Sequence, residues 1–404
     1  MLPLRSFASL SDFVFWVYEK INGHYPTHLP YIPLYTFGFF VALAFIISSF
    51  PFIGELKRRA ALGVFAPQQV VLREGEAPKF YDIISTLILG FVLGWKIYPL
   101  LSDWQNISTS LQPFLLSGEG NILAGIAVSV LLGTYQWYVL KKKTLPKVIE
   151  KPASLYPHDY AGEIIMISAI VGVIGSNALE MLDHPKEYWQ DFIQNPLLSL
   201  TSGFTVVGGL LFGIAAMIIY ARIKKISAPH LLDSIASVFM LAYAIGRQGC
   251  QWSGDGDWGI ATTPYHRPAF IPDWFWGQTY AHNIINDGQP IVNCPELYCM
   301  QLAEPHFPTP VYESIMAFGV FIFLWSVRKK FTSMPGMLVA FFCVGNGLER
   351  FFIEFIRETD KKSWALNMSM QQMISLGLIV FGIAYAWYLQ KNSKNKISTP
   401  LTDE

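Results

Sequence analysis

Nine apolar stretches, each near the length of a membrane-crossing helix, limit this 404-residue chain more than any other feature. They run over residues 31–51, 80–101, 122–140, 164–182, 204–220, 231–245, 311–327, 336–356 and 373–389, the sixth and seventh being the weakest. A helix needs about 20 apolar residues to cross the hydrocarbon core of a bilayer. Backbone groups cannot go unpaired in lipid, so such spans are helices or a closed barrel. A barrel strand alternates in polarity over about ten residues, and these runs are longer and continuous. The expected fold is an all-α integral membrane protein, a polytopic bundle of about nine transmembrane helices. Only 14% of residues are charged, against about 25% in a soluble domain. Lys plus Arg equals Asp plus Glu at 29 each, so no basic excess points to nucleic acid.

Loop charges orient the bundle. Lys57, Arg58, Arg59, Arg73 and Lys79 follow the first run, Lys141, Lys142 and Lys143 the third, Arg222, Lys224 and Lys225 the fifth, and Arg328, Lys329 and Lys330 the seventh. Lys391, Lys394 and Lys396 lie in the tail, whereas the fourth run is followed only by Lys186. Cytoplasmic loops carry the Lys and Arg excess, which puts the N-terminus outside and the C-terminus in the cytoplasm. Arg357, Lys361 and Lys362 break the pattern on the outer side. Residues 1–30 read as an interfacial segment on the outer face, residues 31–390 as the bundle, and residues 391–404 as a polar cytoplasmic tail. Residues 250–307 form the longest soluble connection, on the outer side, rich in Pro, Gly, Trp and Asn. Cys294 and Cys299 within it face a compartment where disulfides persist, and a bridge or two thiols both remain open. Cys343 reads as a small core residue.

Charged groups inside spans are costly and mark candidate function. The sixth run carries Arg247 into "YAIGRQGCQWSGDGDWGI", an apolar helix end that breaks into alternating Gly and Asp. In "GNGLERFFIEFIRE", residues Asn346, Arg350, Glu354 and Arg357 recur at a spacing that puts them on one helix face. An ion-pair ladder that fixes packing would look the same. Arg247 entering at the same outer level favours an anion site, and phosphate suits the bidentate fork of Arg. Tyr312 and Glu313 open the seventh span on that side, where Glu also suits the helix dipole. Gly208 and Gly209 either allow close helix contact or admit a lipid chain to the backbone. Tyr31 and Tyr35 lie at an outer end where aromatic belts are common.

The ordered set "GRQGC…GDGDWG", "PTPVYE" and "GLERFFIEFIR" resembles the prolipoprotein diacylglyceryl transferases of bacteria. "YIPLYTFG", the Gly208–Gly209 pair, Asp233 placed 14 residues before Arg247, and "SMQQMIS" extend the likeness. Residues 52–160, with the second and third runs, have no counterpart in compact members and read as an insertion with two extra spans. The resemblance implies a bacterial inner-membrane transferase whose site faces the periplasm. It would move the diacylglyceryl group of phosphatidylglycerol to the lipobox cysteine thiol of a prolipoprotein signal peptide, in lipoprotein biosynthesis, with no cofactor and no metal. Arg247, Arg350, Glu354 and Asp257 would be catalytic. The arginines would hold the phosphate, with Glu354 orienting Arg350. Arg247, Gly249, Cys250, Asp255, Gly259, Tyr31, Gly208, Gly209, Tyr312 and Glu313 would contact phosphatidylglycerol. Three departures stand out. Val207 occupies the position of the usual His or Tyr, Asn177 that of an Arg, and the Gly-Asp turn is one residue longer, so Asp255 or Asp257 takes the acidic role. The thiol's proton acceptor is left open among Asp257, Glu313, His306 and the cationic site itself. Two other readings stand beside this one. A non-catalytic lipid- or lipoprotein-binding relative accords with the missing His, and a small-anion transporter accords with buried Arg. Against transport, the polar groups cluster at the outer half, and Asp233 alone makes no path.

Overall fold

The computed structural model describes residues 5–26, 34–103, 107, 114, 119–183, 185, 189, 192–193, 206–294, 296–358 and 368–398. Tyr31, Lys186, Lys361 and Lys362 lie outside the described residues. The chain divides into two compact units, one of Met1–Val64 with Met217–Glu404 and one of Phe65–Ala216.

Every apolar run forms a helix. Among the described residues, seven helices are long and apolar enough to cross a membrane: Thr36–Ala61 (α2), Asp82–Ser102 within α3 (Phe80–Ser102), Ile122–Lys142 (α4), Ala161–Leu179 within α5 (Ala161–Asp183), Ala228–Ser253 (α7), Thr309–Val327 (α9) and Met370–Ser393 within α11 (Met370–Ser398). The fifth and eighth runs give shorter helices, α6 (Val206–Ile223, 18 residues) and α10 (Met337–Ile353, 17 residues). The sixth run, expected to be among the weakest, becomes one of the longest helices at 26 residues. The apolar count stops near Arg247, but backbone hydrogen bonding continues until Gly254, whose φ of 65° ends the helix in the left-handed region.

In the larger unit α7 packs against α2 and α9, and α10 against α9 and α11. Met240, Ala317, Leu324 and Leu338 form a fully buried core among α7, α9 and α10. Exposed Ile46 on α2 and Ile322 on α9 face outward, as lipid-facing helices require. The N-terminal segment is anchored beside the Gly254 end of α7. Helix α1 (Leu10–Asn22) starts in a capping box between Ser9 and Asp12. Before it, Phe7 is buried against Trp252 of α7, and its N–H donates to the Trp252 carbonyl at 2.6 Å.

At the other end of α7 lies a second charged cluster. Glu55 of α2 accepts from Arg58 and Arg59 at 2.6 and 2.8 Å and from Arg328 at 3.2 Å. Asp233 of α7 accepts from the backbone N–H groups of Gly336 and Val339 at 3.0 and 3.1 Å, capping the start of α10, and lies 3.8 Å from Arg59. Asp233, placed by its spacing from Arg247 in the sequence, is therefore a structural residue in this network.

The outer connection after α7 is mostly irregular. It holds a single helical turn, α8 (Asp273–Trp276), and a two-stranded ladder of β3 (Gln289–Pro290) and β4 (Met300–Gln301). The strands follow β1 and β2 of the smaller unit in chain order. Trp258, Tyr280 and Leu302 form its own core, and Cys294 and Cys299 are joined by a disulfide. Cys343 packs in the bundle core.

In the smaller unit α3 packs against α4 through small residues. A Cβ on Gly94 would lie 2.4 Å from the Ala124 carbonyl oxygen, and the Ser129 hydroxyl donates to the Leu87 carbonyl at 2.8 Å. Strands β1 (Gln68–Glu74) and β2 (Ile149–Leu155) pair antiparallel, Gln68 opposite Leu155.

Candidate active site

The site grows from the outer end of α7. Arg247 lies one and a half turns before the helix stop and is 7% exposed. Beyond it, Gly254 (φ 65°) and Gly256 (φ 97°) take backbone conformations that side chains rarely adopt, and the chain doubles back. That reversal brings the Asp257 carboxylate onto Arg247 Nη1. Thr309, at the start of α9, pins the turn by donating its hydroxyl to the Asp257 carbonyl at 2.5 Å. Gly259 then pairs with Arg357 in an isolated β-bridge, and Ile260 N–H donates to the Ile356 carbonyl at 2.8 Å. A Cβ on Gly259 would sit 2.4 Å from the Ile356 oxygen, so only glycine permits this approach. The approach matters because it delivers Arg357 to the other Asp257 oxygen.

Glu313 of α9, fully buried, is the second anchor. One carboxylate oxygen meets Arg247 Nε. The other accepts from Arg350 Nη1 of α10 at 3.0 Å and lies 3.7 Å from Arg357 Nη1. Tyr243, one turn before Arg247, donates its hydroxyl to Glu313 at 3.5 Å, and the Arg350 guanidinium stands 5.9 Å from its ring centre. Three guanidiniums from two helices and a turn thus share two carboxylates. Arg247 Nη2 is buried and has no hydrogen-bond partner among the described residues. Burial opposes the charged form of Asp257, but the Arg247 and Arg357 guanidiniums outweigh it and hold the carboxyl at about 2. A lowered folded-state value means the stabilisation is complete above the ordinary 3.8 and is lost as pH falls toward 2. Asp257 is therefore ionised throughout the neutral range. Chemically, this is a preorganised cationic frame with a spare donor, suited to an anion that gains charge.

Residues 120–388 match the family model described as prolipoprotein diacylglyceryl transferase. The chain belongs to the prolipoprotein diacylglyceryl transferase family. It is 25% identical over 232 residues to a phosphatidylglycerol–prolipoprotein diacylglyceryl transferase of Bacillus cytotoxicus, covering 57% of this chain and 76% of that protein. A protein of the same name from Clostridioides difficile is 32% identical over 196 residues, covering 48% and 65%. One from Staphylococcus aureus is 26% identical over 268 residues, covering 65% and 82%. The family match begins at residue 120 and takes in α4, which the sequence reading assigned to an insertion over residues 52–160.

Not every residue singled out in the sequence of this family member gathers at the frame. Arg247, Arg350, Asp257 and Glu313 do, as does Arg357. α10 ends at Ile353, and beyond it the N–H groups of Glu354 and Arg357 still bond back to the Arg350 and Ile353 carbonyls at 3.4 and 3.1 Å, so Arg350 and Arg357 both reach Glu313. Glu354 stands at the C-cap, buried, with its N–H donating to the Arg350 carbonyl at 3.4 Å. The carboxylate set on the Arg350 guanidinium is Glu313. Asp255 accepts from the Asp257 N–H at 3.4 Å and from the Cys250 thiol, outside the frame's ion pairs among the described residues. Burial and the neighbouring Asp257 charge push its carboxyl up. Cys250 stands 3.3 Å from Arg247 Nη1. Gly249 is where α7 meets α2, a Cβ there lying 3.2 to 3.3 Å from Phe40 and Phe37 side chains. Tyr312 donates to the Phe275 carbonyl and stacks on Phe275 at 4.9 Å, tying the outer loop to α9. His306 pairs through its backbone with Gln278, and its ring lies 3.7 Å from Glu358. Gly208 and Gly209 belong to the smaller unit, where they let α6 approach α5. A Cβ on Gly209 would stand 2.7 Å from Ser176 Oγ.

Two residues escaped the sequence reading. Glu349 is 3% exposed, and neither carboxylate oxygen has a hydrogen-bond partner among the described residues. Its charge inside an apolar run was the available signal. Tyr243 carried none, since an aromatic at a helix end is common. Cys250, Asp255 and Asp257 place potential ligand atoms within 4.8 Å of one another. Both Asp257 oxygens are already committed to guanidiniums, so the group belongs to the anion frame.

Proposed function

We propose that this chain transfers the diacylglyceryl group of phosphatidylglycerol to the cysteine thiol of a prolipoprotein. The sulfur attacks the glycerol carbon that bears the phosphodiester, a C–S bond forms and the C–O bond breaks. The thiol proton is released, and glycerol phosphate leaves. The departing phosphate gains one negative charge as its ester bond breaks. The observation that carries this reading is the convergence of Arg247, Arg350 and Arg357 on the carboxylates of Asp257 and Glu313, with Arg247 Nη2 unbonded among the described residues. Charge that develops in a water-poor frame of fixed cations is stabilised more strongly than in water. Family membership supports the choice of this anion over others. Asp257 and Glu313 hold the arginines in place, and phosphatidylglycerol and the signal peptide are the two substrates.

Purified protein with phosphatidylglycerol should add a diacylglyceryl mass to a lipobox peptide and leave its Cys→Ser counterpart unchanged, as read by mass spectrometry. An unmodified cysteine peptide under conditions where the protein is folded would overturn the reading.

We further read all nine helices as crossing the inner membrane, with the N-terminus and the frame on the periplasmic side. The basic loops support this orientation. A membrane-impermeant thiol reagent applied to intact spheroplasts should label Val292→Cys, on the exposed outer connection, and not Lys142→Cys, at the end of α4. The opposite pattern would invert the topology.

A further inference from the structure

Near the arginine frame, a cavity of about 120 Å³ opens between the Gly254 end of α7 and the connection that follows it. Gln248, Gln251 and Trp252 of α7 line one wall, and Trp274 and Gln278 the other, with Arg5 of the N-terminal segment at its edge. Gln248 is the chain neighbour of Arg247. Gln248 bonds Ser314 on the same two helices that carry Arg247 and its partner Glu313, so the cavity lies near the frame, and its lining contains none of the frame's guanidiniums.

Arg5 is ion-paired with Glu296, and its Nε has no hydrogen-bond partner among the described residues. The rest of the polar lining is neutral amide and indole. Gln251 Nε2 donates to Gln278 Oε1 at 2.7 Å, Tyr280 donates to Gln251 Oε1 at 3.0 Å, and Gln278 Nε2 donates to the Trp274 carbonyl at 2.8 Å. These bonds fix the amides and tie α8 to α7. Gln248 Nε2 donates to Ser314 at 2.8 Å, which leaves its carbonyl oxygen without a bond among the described residues. The indole N–H groups of Trp252 and Trp274 are likewise unbonded among those residues. A neutral wall with spare N–H donors and a spare C=O acceptor matches an uncharged amide chain. A phosphate, by contrast, belongs at the guanidiniums.

We infer that this cavity holds the main chain of the acceptor polypeptide just after its cysteine. The inference rests on the transferase reading given above. Displacement at the glycerol carbon requires sulfur to enter opposite the C–O bond that breaks, so the acceptor lies away from the phosphate-holding arginines. A signal peptide that enters with its N-terminus in the cytoplasm places the residues after its cysteine at the outer face, where the cavity opens.

Trp274→Ala, on an outer-loop turn away from the helix core, should raise the KM for a cysteine peptide about tenfold, the effect of losing one anchoring aromatic contact. The KM for phosphatidylglycerol should stay unchanged. In parallel, a Cys→Ser peptide carrying a photoreactive residue directly after that position should crosslink to residues 274–278 of the full-length protein in phosphatidylglycerol micelles. A rise in the phosphatidylglycerol KM alone would assign the cavity to the lipid headgroup and overturn the inference, as would crosslinks that map elsewhere. If wild-type protein transfers nothing, the functional reading fails, and the crosslink map still decides what the cavity holds.

Discussion

Arg247→Ala and Arg350→Ala should each lower diacylglyceryl transfer by about 100- to 1000-fold at matched amounts of inserted protein, the usual cost of one donor lost from an electrostatic site. Each arginine meets Glu313, so its removal withdraws a cation from the frame where the phosphate gains charge. Arg350→Lys separates charge from geometry. Lysine keeps the cation but cannot present two parallel N–H groups, so a bidentate role predicts a loss close to that of alanine. The double alanine variant should fall short of the product of the single effects, since both residues serve one group. Lys330→Ala, an exposed cation in the turn after α9, should be silent. Near-normal transfer by either alanine variant would show that the arginines form a packing ladder and not a catalytic frame.

Glu55→Ala should cost about 3 to 5 kcal/mol of stability, the range expected when one partner of a buried ion pair is removed. Glu55 is 1% exposed and accepts from Arg58, Arg59 and Arg328, while Arg59 is fully buried. Without it, two helix ends keep their guanidiniums and lose the carboxylate between them. Asp233 cannot take its place, because its oxygens cap α10 and stand 3.8 Å from Arg59. The effect would be read as a lowered midpoint of thermal unfolding in detergent. Glu55→Gln should cost less than alanine, because the amide oxygen still accepts one of the hydrogen bonds. An unchanged midpoint for the alanine variant would mean that the three arginines are solvated at the membrane surface. Asp233 and Arg247 are separated by 14 residues of one helix, or about 21 Å at 1.5 Å per residue. The two clusters should therefore respond independently, with stability following one and transfer the other.

What the sequence determined by itself was local. The apolar runs became helices, as an apolar backbone that must bond internally requires, and seven of them among the described residues are long and apolar enough to cross a membrane. "GRQGC" and "GLERFFIEFIR" marked Arg247 and Arg350, since a permanent cation in an apolar run is costly enough to be conspicuous. Partner choice was not local. Glu313 lies 66 positions from Arg247 along the chain, and only the packing of α7 against α9 brings them together. Asp255 and Asp257 are equivalent in the sequence, separated by one glycine. The positive-φ reversal at Gly254 and Gly256 sets Asp257 on the guanidiniums and Asp255 on the Cys250 thiol. Helical periodicity put Glu354 and Arg357 on one face with Arg350, and their N–H groups keep the i to i−4 bond past the end of α10. The chain turns after Ile353, and Arg357 reaches Asp257 through its backbone pairing with Gly259. Hydropathy and spacing are read along the chain, whereas ion pairs form across it, so the arginines were legible in the sequence and their carboxylates were decided by the tertiary structure.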